Sequence, residues 1–479
     1  MRASFNVLDQ AWIPVISLEG KEETLGIRET ILRAQELREI TSASPLEEYS
    51  LYRFLGLFLM DMLRPESETD IENYLEDGRF DEEDLESYIA LCRAEGVSFD
   101  LFDEERPFLQ SRYDPKLDGE PRPVSVLDAT KASGNNHVHF DHNQGEVLSL
   151  PPARAARLLL STYLFCTAAA QGYPSGVNAS PPYFGVIQGK SLFETLVFTL
   201  LPLDRIGISF DDPPVLWRRS DPVIPKKEIG KTSWLQGMLF PTRRIHLMPD
   251  EAGNLSAVHL CQGENFVNKV SWRDPYVSYR VGKDGLFPMR PSADRAIWRN
   301  LSDIVNIPGG QAAQLLSQYR SIQMSDTAEI ILYGVETSQA SYLGVYRHSL
   351  RFPMKLTGNE NTVSLLQLCI RSSELLAAAL RKSLSQVEVI PEALTSLAVQ
   401  DFYQSCERRF WELCEQAGKT DPGKEDYIAF CDEIGSYAGK SFSNALAKLN
   451  LRAAALAAAA KQKEHLDISI RKLKKEARL

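Results

Sequence analysis

The sequence predicts an α+β fold, with a large mixed α/β domain over residues 1–358 and a four-helix bundle over residues 359–479. Three observations predict it. At 479 residues the chain exceeds what one ordinary core organises. Through the first three quarters, short β-type runs alternate with helical patterns and Pro/Gly-rich loops. After Leu356, four amphipathic segments of helical period follow one another with only short breaks.

The elements follow in order. "AWIPVISL" reads as a first strand. "LYRFLGLFLMDML" (Leu51–Leu63) reads as a buried helix, although Arg53 and Asp61 interrupt it. "PPARAARLLLSTYLFCTAAAQG" (Pro151–Gly172) starts on proline, carries Leu, Tyr and Phe at helical spacing, and closes on glycine, so a helix over its whole length is expected. "GVIQGKS", "RRIHLM" and "AVHLCQG" read as strands. Loops over residues 173–182 and 211–232 separate them, and long loops in a domain usually carry function or move. Further on, "EIILY" (Glu329–Tyr333) and "VYRHSLRF" (Val345–Phe352) flank "GVETSQASYLG" (Gly334–Gly344). This is a hairpin pattern whose small, polar middle, Thr337-Ser338-Gln339-Ala340, carries one lone glutamine. The last four segments are broken near Pro391, Pro422 and Asn450, and the alanine run Ala453–Ala460 is expected to allow close helix approach.

Charge is unevenly spread. The net charge is −11, yet residues 66–105 hold 16 Asp/Glu against 2 Arg, and residues 440–479 hold 10 Lys/Arg against 3 Asp/Glu. An acidic face and a basic tail fit partners of either sign, and equally fit solvated helix faces. No apolar run reaches the ~18 residues of a membrane span. "MRASFNVLDQ" lacks the apolar core of a signal peptide. Seven cysteines without a CxxC pair point to reduced thiols in a cytoplasm and away from a structural zinc.

Catalytic signatures are sparse. "HVHFDH" (His137–His142) fits the HxHxDH pattern with which metallo-β-lactamase-like hydrolases hold two metal ions and a bridging hydroxide. Later ligands in a matching motif are missing, and a plain polar loop is the other reading. There is no P-loop, no GxGxxG after a strand and no GxSxG. Basic and aromatic residues do interleave through Arg243, Arg244, Lys269, Arg273, Tyr276, Tyr279, Arg280, Lys283, Arg290, Arg295 and Trp298. Such mixtures of charged forks and flat rings suit nucleic-acid surfaces, and ordinary surfaces contain them too.

Five separate stretches stand out in order along the chain: "FNVLDQAWIPV" (Phe5–Val15), "RPFLQ" (Arg106–Gln110), "WLQGMLFPTRRIHL" (Trp234–Leu247, resembling a strand region), "SQAS" (Ser338–Ser341) and "CERRFWELCE" near the end. Together they resemble one family: CasA, the large subunit of the type I-E Cascade complex of CRISPR immunity. The resemblance implies that Gln339 is a wedge pushed into duplex DNA beside the protospacer-adjacent motif (PAM). Ser338 and Ala340 then flank it near the PAM minor groove, which distinguishes base pairs poorly. "AAQGYPSGVN" falls on the family's glycine loop, of which Gly172 and Gly176 remain, with Tyr173, Pro174 and Ser175 between them. Lys269, ahead of "WRDPY", falls near a lysine finger. "NNHVHFDHNQGE" (Asn135–Glu146) falls on a loop that docks near the guide RNA's 5′ handle, which gives His139, Phe140 and Asp141 a purpose without metal. Where some members carry zinc-binding cysteine pairs, this chain has Ser149-Leu150-Pro151-Pro152 and Cys261-Gln262-Gly263-Glu264, so no metal and no cofactor are expected.

The resemblance thus implies a non-catalytic, PAM-sensing subunit in the cytoplasm. Its partners are double-stranded target DNA, crRNA, the backbone and small subunits of Cascade and a helicase–nuclease, with no membrane. From its charge, the basic last helix, with Lys472, Lys474 and Lys475, is expected to hold the displaced strand. Two other readings stay open: a metal-dependent hydrolase using His137, His139, Asp141 and His142, and a purely architectural subunit.

Overall fold

The structure, a computed structural model, describes residues 3–128, 149–167, 173–174, 176–206, 214–268, 271–283, 285–292, 295–304, 310–322, 326–338, 341–450 and 452–479. Strands β1 (Ile13–Ser17), β2 (Glu22–Leu25) and β3 (Leu37–Ile40) form an antiparallel sheet in the order β2-β1-β3. Helix α1 (Pro45–Leu63) follows, and every residue from Leu46 to Asp61 is buried. It is therefore covered on all sides, as its near-continuous apolar sequence requires. Both charges that interrupt the run are paired inside the protein. Arg53 Nη2 lies 2.5 Å from Asp274 Oδ2, and Asp61 Oδ2 lies 2.8 Å from Arg218 Nη1.

The acidic run forms α2 (Glu68–Asp77) and α3 (Glu82–Ala94), with most of its carboxylates exposed. Next come α4 (Pro152–Phe165), β4 (Phe184–Gln188), and the antiparallel pair β5 (Arg243–Pro249) and β6 (Leu255–Gln262). Helix α4 stops well before Gly172, contrary to the sequence pattern. Cys166 turns extended (φ −63°, ψ 138°), and Arg243 Nη2 takes the Thr167 carbonyl at 2.6 Å. "WLQGMLFPTRRIHL" is also not all strand: its first five residues, Trp234–Met238, form a helical turn ahead of β5. The motif "RPFLQ" is structural. Phe108 is buried, and Gln110 bridges the Leu101 carbonyl (2.8 Å) and the Leu247 amide (2.7 Å).

Strands β7 (Thr327–Ser338) and β8 (Ser341–Pro353) are longer than their apolar cores, and β4, β7 and β8 make a sheet in the order β8-β7-β4. The chain ends in the helices α5 (Glu360–Ser385), α6 (Glu392–Lys419), α7 (Lys424–Ala447) and α8 (Ala453–Arg478), which pack as a bundle around Leu376, Leu380, Phe402, Phe410, Phe430 and Phe442. Helix α5 is long and apolar enough in composition to cross a membrane, and half of that apolar window is buried in the protein. The alanine run does not make the close helix approach expected of it. Of its alanines only Ala459 is buried; the tight contact falls at Gly435, where a Cβ would sit 2.8 Å from Ile470 Cγ2. The bundle joins the α/β part through Trp298, whose ring lies 5.1 Å from that of Phe410, and through Arg299 Nε, 2.7 Å from Glu374 Oε1.

Candidate nucleic-acid interface

The hairpin β7–β8 projects beyond its own sheet. Strand β4 pairs with β7 only over Glu329–Tyr333, so from Gly334 to Ser338 the strand has β8 as its one partner. Five residues at strand rise give a two-stranded finger reaching about 17 Å past the last residue paired on both sides. The register Ser338↔Ser341 leaves only positions 339 and 340 to connect the strands. "GVETSQASYLG" is thus mostly strand rather than loop, because β-branched Val335 and Thr337 and aromatic Tyr342 suit a paired ladder. A bulge between Glu336 and Thr337 leaves Leu343 unpaired and exposed.

The base of the finger is fixed. Glu48, buried in the first turn of α1, accepts from the Tyr333 hydroxyl and from Arg347 Nε (3.0 Å). Tyr342, opposite Thr337 and one pair from the outer end, donates to the Phe165 carbonyl at 2.9 Å and so ties the finger to the body near its tip, and across the finger Tyr346 donates to Glu336 Oε2 at 2.7 Å. His348 stacks on Tyr346 (5.8 Å) and lies 3.2 Å from the Tyr183 hydroxyl; burial lowers its pKa, so the imidazole is neutral at pH 7. A Cβ on Gly334 would sit 2.4 Å from Pro291 Cγ and 2.9 Å from the Tyr183 ring. Gly334→Ala is therefore expected to destabilise the protein by about 1–3 kcal/mol. The check is a lower denaturation midpoint, and an unchanged midpoint would show that this contact is slack.

The turn Gly176–Ala179 lies beside Cys166, the neighbour of the Phe165 whose carbonyl takes Tyr342. Arg243, buried, reaches the Thr167 carbonyl (2.6 Å) and the Pro174 carbonyl (2.8 Å) and packs 4.9 Å from the Tyr173 ring centre. Arg243 and Arg244 are thus not free for phosphates, contrary to their place in the basic–aromatic run. Arg244 forms a buried fork on Asp118 (2.7 and 3.0 Å), and Tyr276, Tyr279 and Trp298 are core residues. From the same run, Arg273, Lys283 and Arg290 are exposed.

Of the residues singled out in the sequence, Ser338 ends β7 and is exposed, while Gly176 opens the turn and is half-buried. Lys472 and Lys475 are exposed on α8; Lys472 lies 3.8 Å from Glu476, and Lys474 leans back onto Asp432 at 3.2 Å. Gln339, Ala340, Gly172, Lys269, His139, Phe140 and Asp141 lie outside the described residues, as do His137 and His142. Among the described residues no group of three or more His, Cys, Asp or Glu side chains is arranged to hold a metal ion.

The model of the CRISPR-associated protein Cse1 family matches residues 6–440. The CasA/Cse1 protein of Thermus thermophilus is 30% identical over 374 residues, spanning 74% of this chain and 72% of that protein. The chain belongs to the Cse1 (CasA) family. Solved Cse1 structures share its fold. The Cse1 of Acidimicrobium ferrooxidans superposes with a TM-score of 0.79 at 18% identity, covering 99% of each chain. The CasA of Thermus thermophilus gives 0.78 at 22%, covering 98% of this chain and all of that one. A chain of a CRISPR RNA-guided surveillance complex gives 0.80 at 21%, again covering 98% and 100%. As a Cse1 protein the chain keeps the mixed α/β part and the helical C-terminal region over its whole length.

Proposed function

We propose that this chain is the non-catalytic large subunit of a crRNA-guided DNA surveillance complex, that it engages a PAM in duplex DNA, and that it starts strand opening there. The observation that carries this reading is the finger: a rigidly based, two-stranded projection that ends in a two-residue connection holding Gln339. A flat amide at such a tip can stack on, and hydrogen-bond to, the edge of the first opened pair. Narrow flanks let it enter. Ser338 and Ala340 are small, so they fit a shallow reading of the minor groove, with a permissive set of PAMs. Opening one step costs a few kcal/mol, which pairing of guide RNA with the target strand recovers. Gly176, Gly172 and Lys269 belong to neighbouring segments assigned to the same duplex, and His139, Phe140 and Asp141 to docking at the guide-RNA handle. A helicase–nuclease is then recruited to the opened site. The protein acts in the cytoplasm, and the division at residue 358 separates DNA recognition from docking on the small subunits.

Co-expression with the genomic neighbours tests this reading. The chain is expected in an RNA-containing particle whose R-loop formation depends on a PAM; a chain that purifies alone, without RNA, would overturn it. Helix α8 supplies a second test. Reversing the charge of Lys472 and Lys475, which leaves the Lys474–Asp432 contact intact, is expected to reduce the salt-dependence slope of target retention by roughly one to two. The measurement is retention of opened target across a salt series, and an identical slope would remove α8 from displaced-strand binding.

A further inference from the structure

We infer that Asn178 is a positioning residue, a latch that fastens the Gly176–Ala179 turn to the buried Arg53–Asp274 pair and so sets where the turn's backbone meets duplex DNA. The inference rests on the DNA-opening role proposed above.

The turn is closed by Ala179 N–H donating to the Gly176 carbonyl at 2.9 Å. Its last residue is held in an unfavourable state: Ala179 has φ +64°, a left-handed conformation that a residue with a Cβ keeps only where its surroundings impose it. Two side chains inside the turn are placed to impose it. Val177 is buried, and Asn178 Nδ2 donates to Asp274 Oδ2 at 3.3 Å across 96 residues of sequence.

The acceptor is itself immobilised. Asp274 Oδ1 accepts from the Tyr276 amide (3.0 Å), Oδ2 accepts from Arg53 Nη2, and the Asp274 amide donates to the Tyr279 hydroxyl (2.8 Å). The two charged side chains are 1% and 2% exposed, and the Arg53 guanidinium lies 4.8–5.5 Å from the ring centres of Tyr276, Phe184 and Tyr49. Val177 and Asn178 of the turn line one small cavity, of about 20 Å³, together with Asp274 and Phe184.

Gly176 shows what the latch positions. A Cβ there would make only ordinary contacts, the nearest 3.7 Å from Cys166 Sγ. Under the reading above, Gly176 meets the duplex through its backbone, and that contact has value only if the backbone is held in one place.

The test uses the assembled complex with wild-type chain, Asn178→Ala and Asn178→Asp. Affinity is measured for linear duplex targets with and without a PAM, and for a target already opened beside the PAM. Loss of one hydrogen bond to a carboxylate is expected to lower the PAM-dependent affinity ratio of Asn178→Ala roughly ten-fold, with binding to the pre-opened target unchanged. Asn178→Asp, which sets a second carboxylate against Asp274, is expected to lower the ratio further. Asn178→Ala with the wild-type ratio would overturn the latch. An equal loss on linear and pre-opened targets would also overturn it, by showing a merely structural role. A wild-type complex indifferent to the PAM would overturn the DNA-opening reading instead, and the latch's purpose with it.

Discussion

Gln339→Ala is expected to lower R-loop yield on linear target DNA by at least roughly ten-fold, while particle assembly and thermal stability stay at wild-type values. The size follows from what the side chain would do. Unstacking a base step costs a few kcal/mol, and forfeiting even ~1.4 kcal/mol of compensating contact is a ten-fold loss. Stability is insulated because residues other than Gln339 hold the finger: Tyr342 one pair from its end, then Tyr346, Gly334 and the Glu48–Tyr333–Arg347 cluster. A target with the first pairs already mismatched should restore the variant, since nothing then remains to be opened. Wild-type yield from Gln339→Ala on linear DNA would dismiss the wedge and favour an architectural subunit.

The second large effect concerns stability. Asp274→Ala is expected to destabilise the α/β part by about 3–5 kcal/mol, because Arg53 is left charged in a buried site with its partner gone. Arg53 has little in reserve: even with Asp274 in place, its Nε is buried without a hydrogen-bond partner. Replacing both residues by apolar ones of similar size should recover much of the loss, since a buried pair contributes less than the cost of breaking it. The check is the denaturation midpoint of the two variants beside wild type. A single variant as stable as wild type would show that water reaches Arg53.

These two residues also mark where sequence reading stops. The "LYRFLGLFLMDML" run is legible as a helix covered on all sides, and the four bundle helices follow from their period and breaks. A charge inside such a run must have a partner, but nothing local says which. Asp274 lies 221 residues away and is brought to Arg53 only by the tertiary fold. Asn178, in a loop rich in Pro and Gly, gives no local signal of its latch. Helix α4 ends earlier than its pattern implies for a related reason: groups distant in sequence, the Tyr342 hydroxyl on the Phe165 carbonyl and the Arg243 guanidinium on the Thr167 carbonyl, hold the chain where it leaves the helix. The same arginine and its neighbour Arg244 resemble phosphate ligands in the sequence, because sequence alone does not separate a buried guanidinium from an exposed one. The finger is legible as a hairpin, yet its length is not, since the small polar residues that suggest a wide loop are ladder residues whose far side faces no third strand.

The most direct measurement places a photo-crosslinking side chain at position 338, the exposed last residue of β7, in the complete RNA-containing complex bound to target DNA. Irradiation is expected to join it to nucleotides of the PAM and the first adjoining pair, on either strand. Cross-links confined to protein, or to DNA more than a few pairs from the PAM, would contradict the entry of this finger into the duplex.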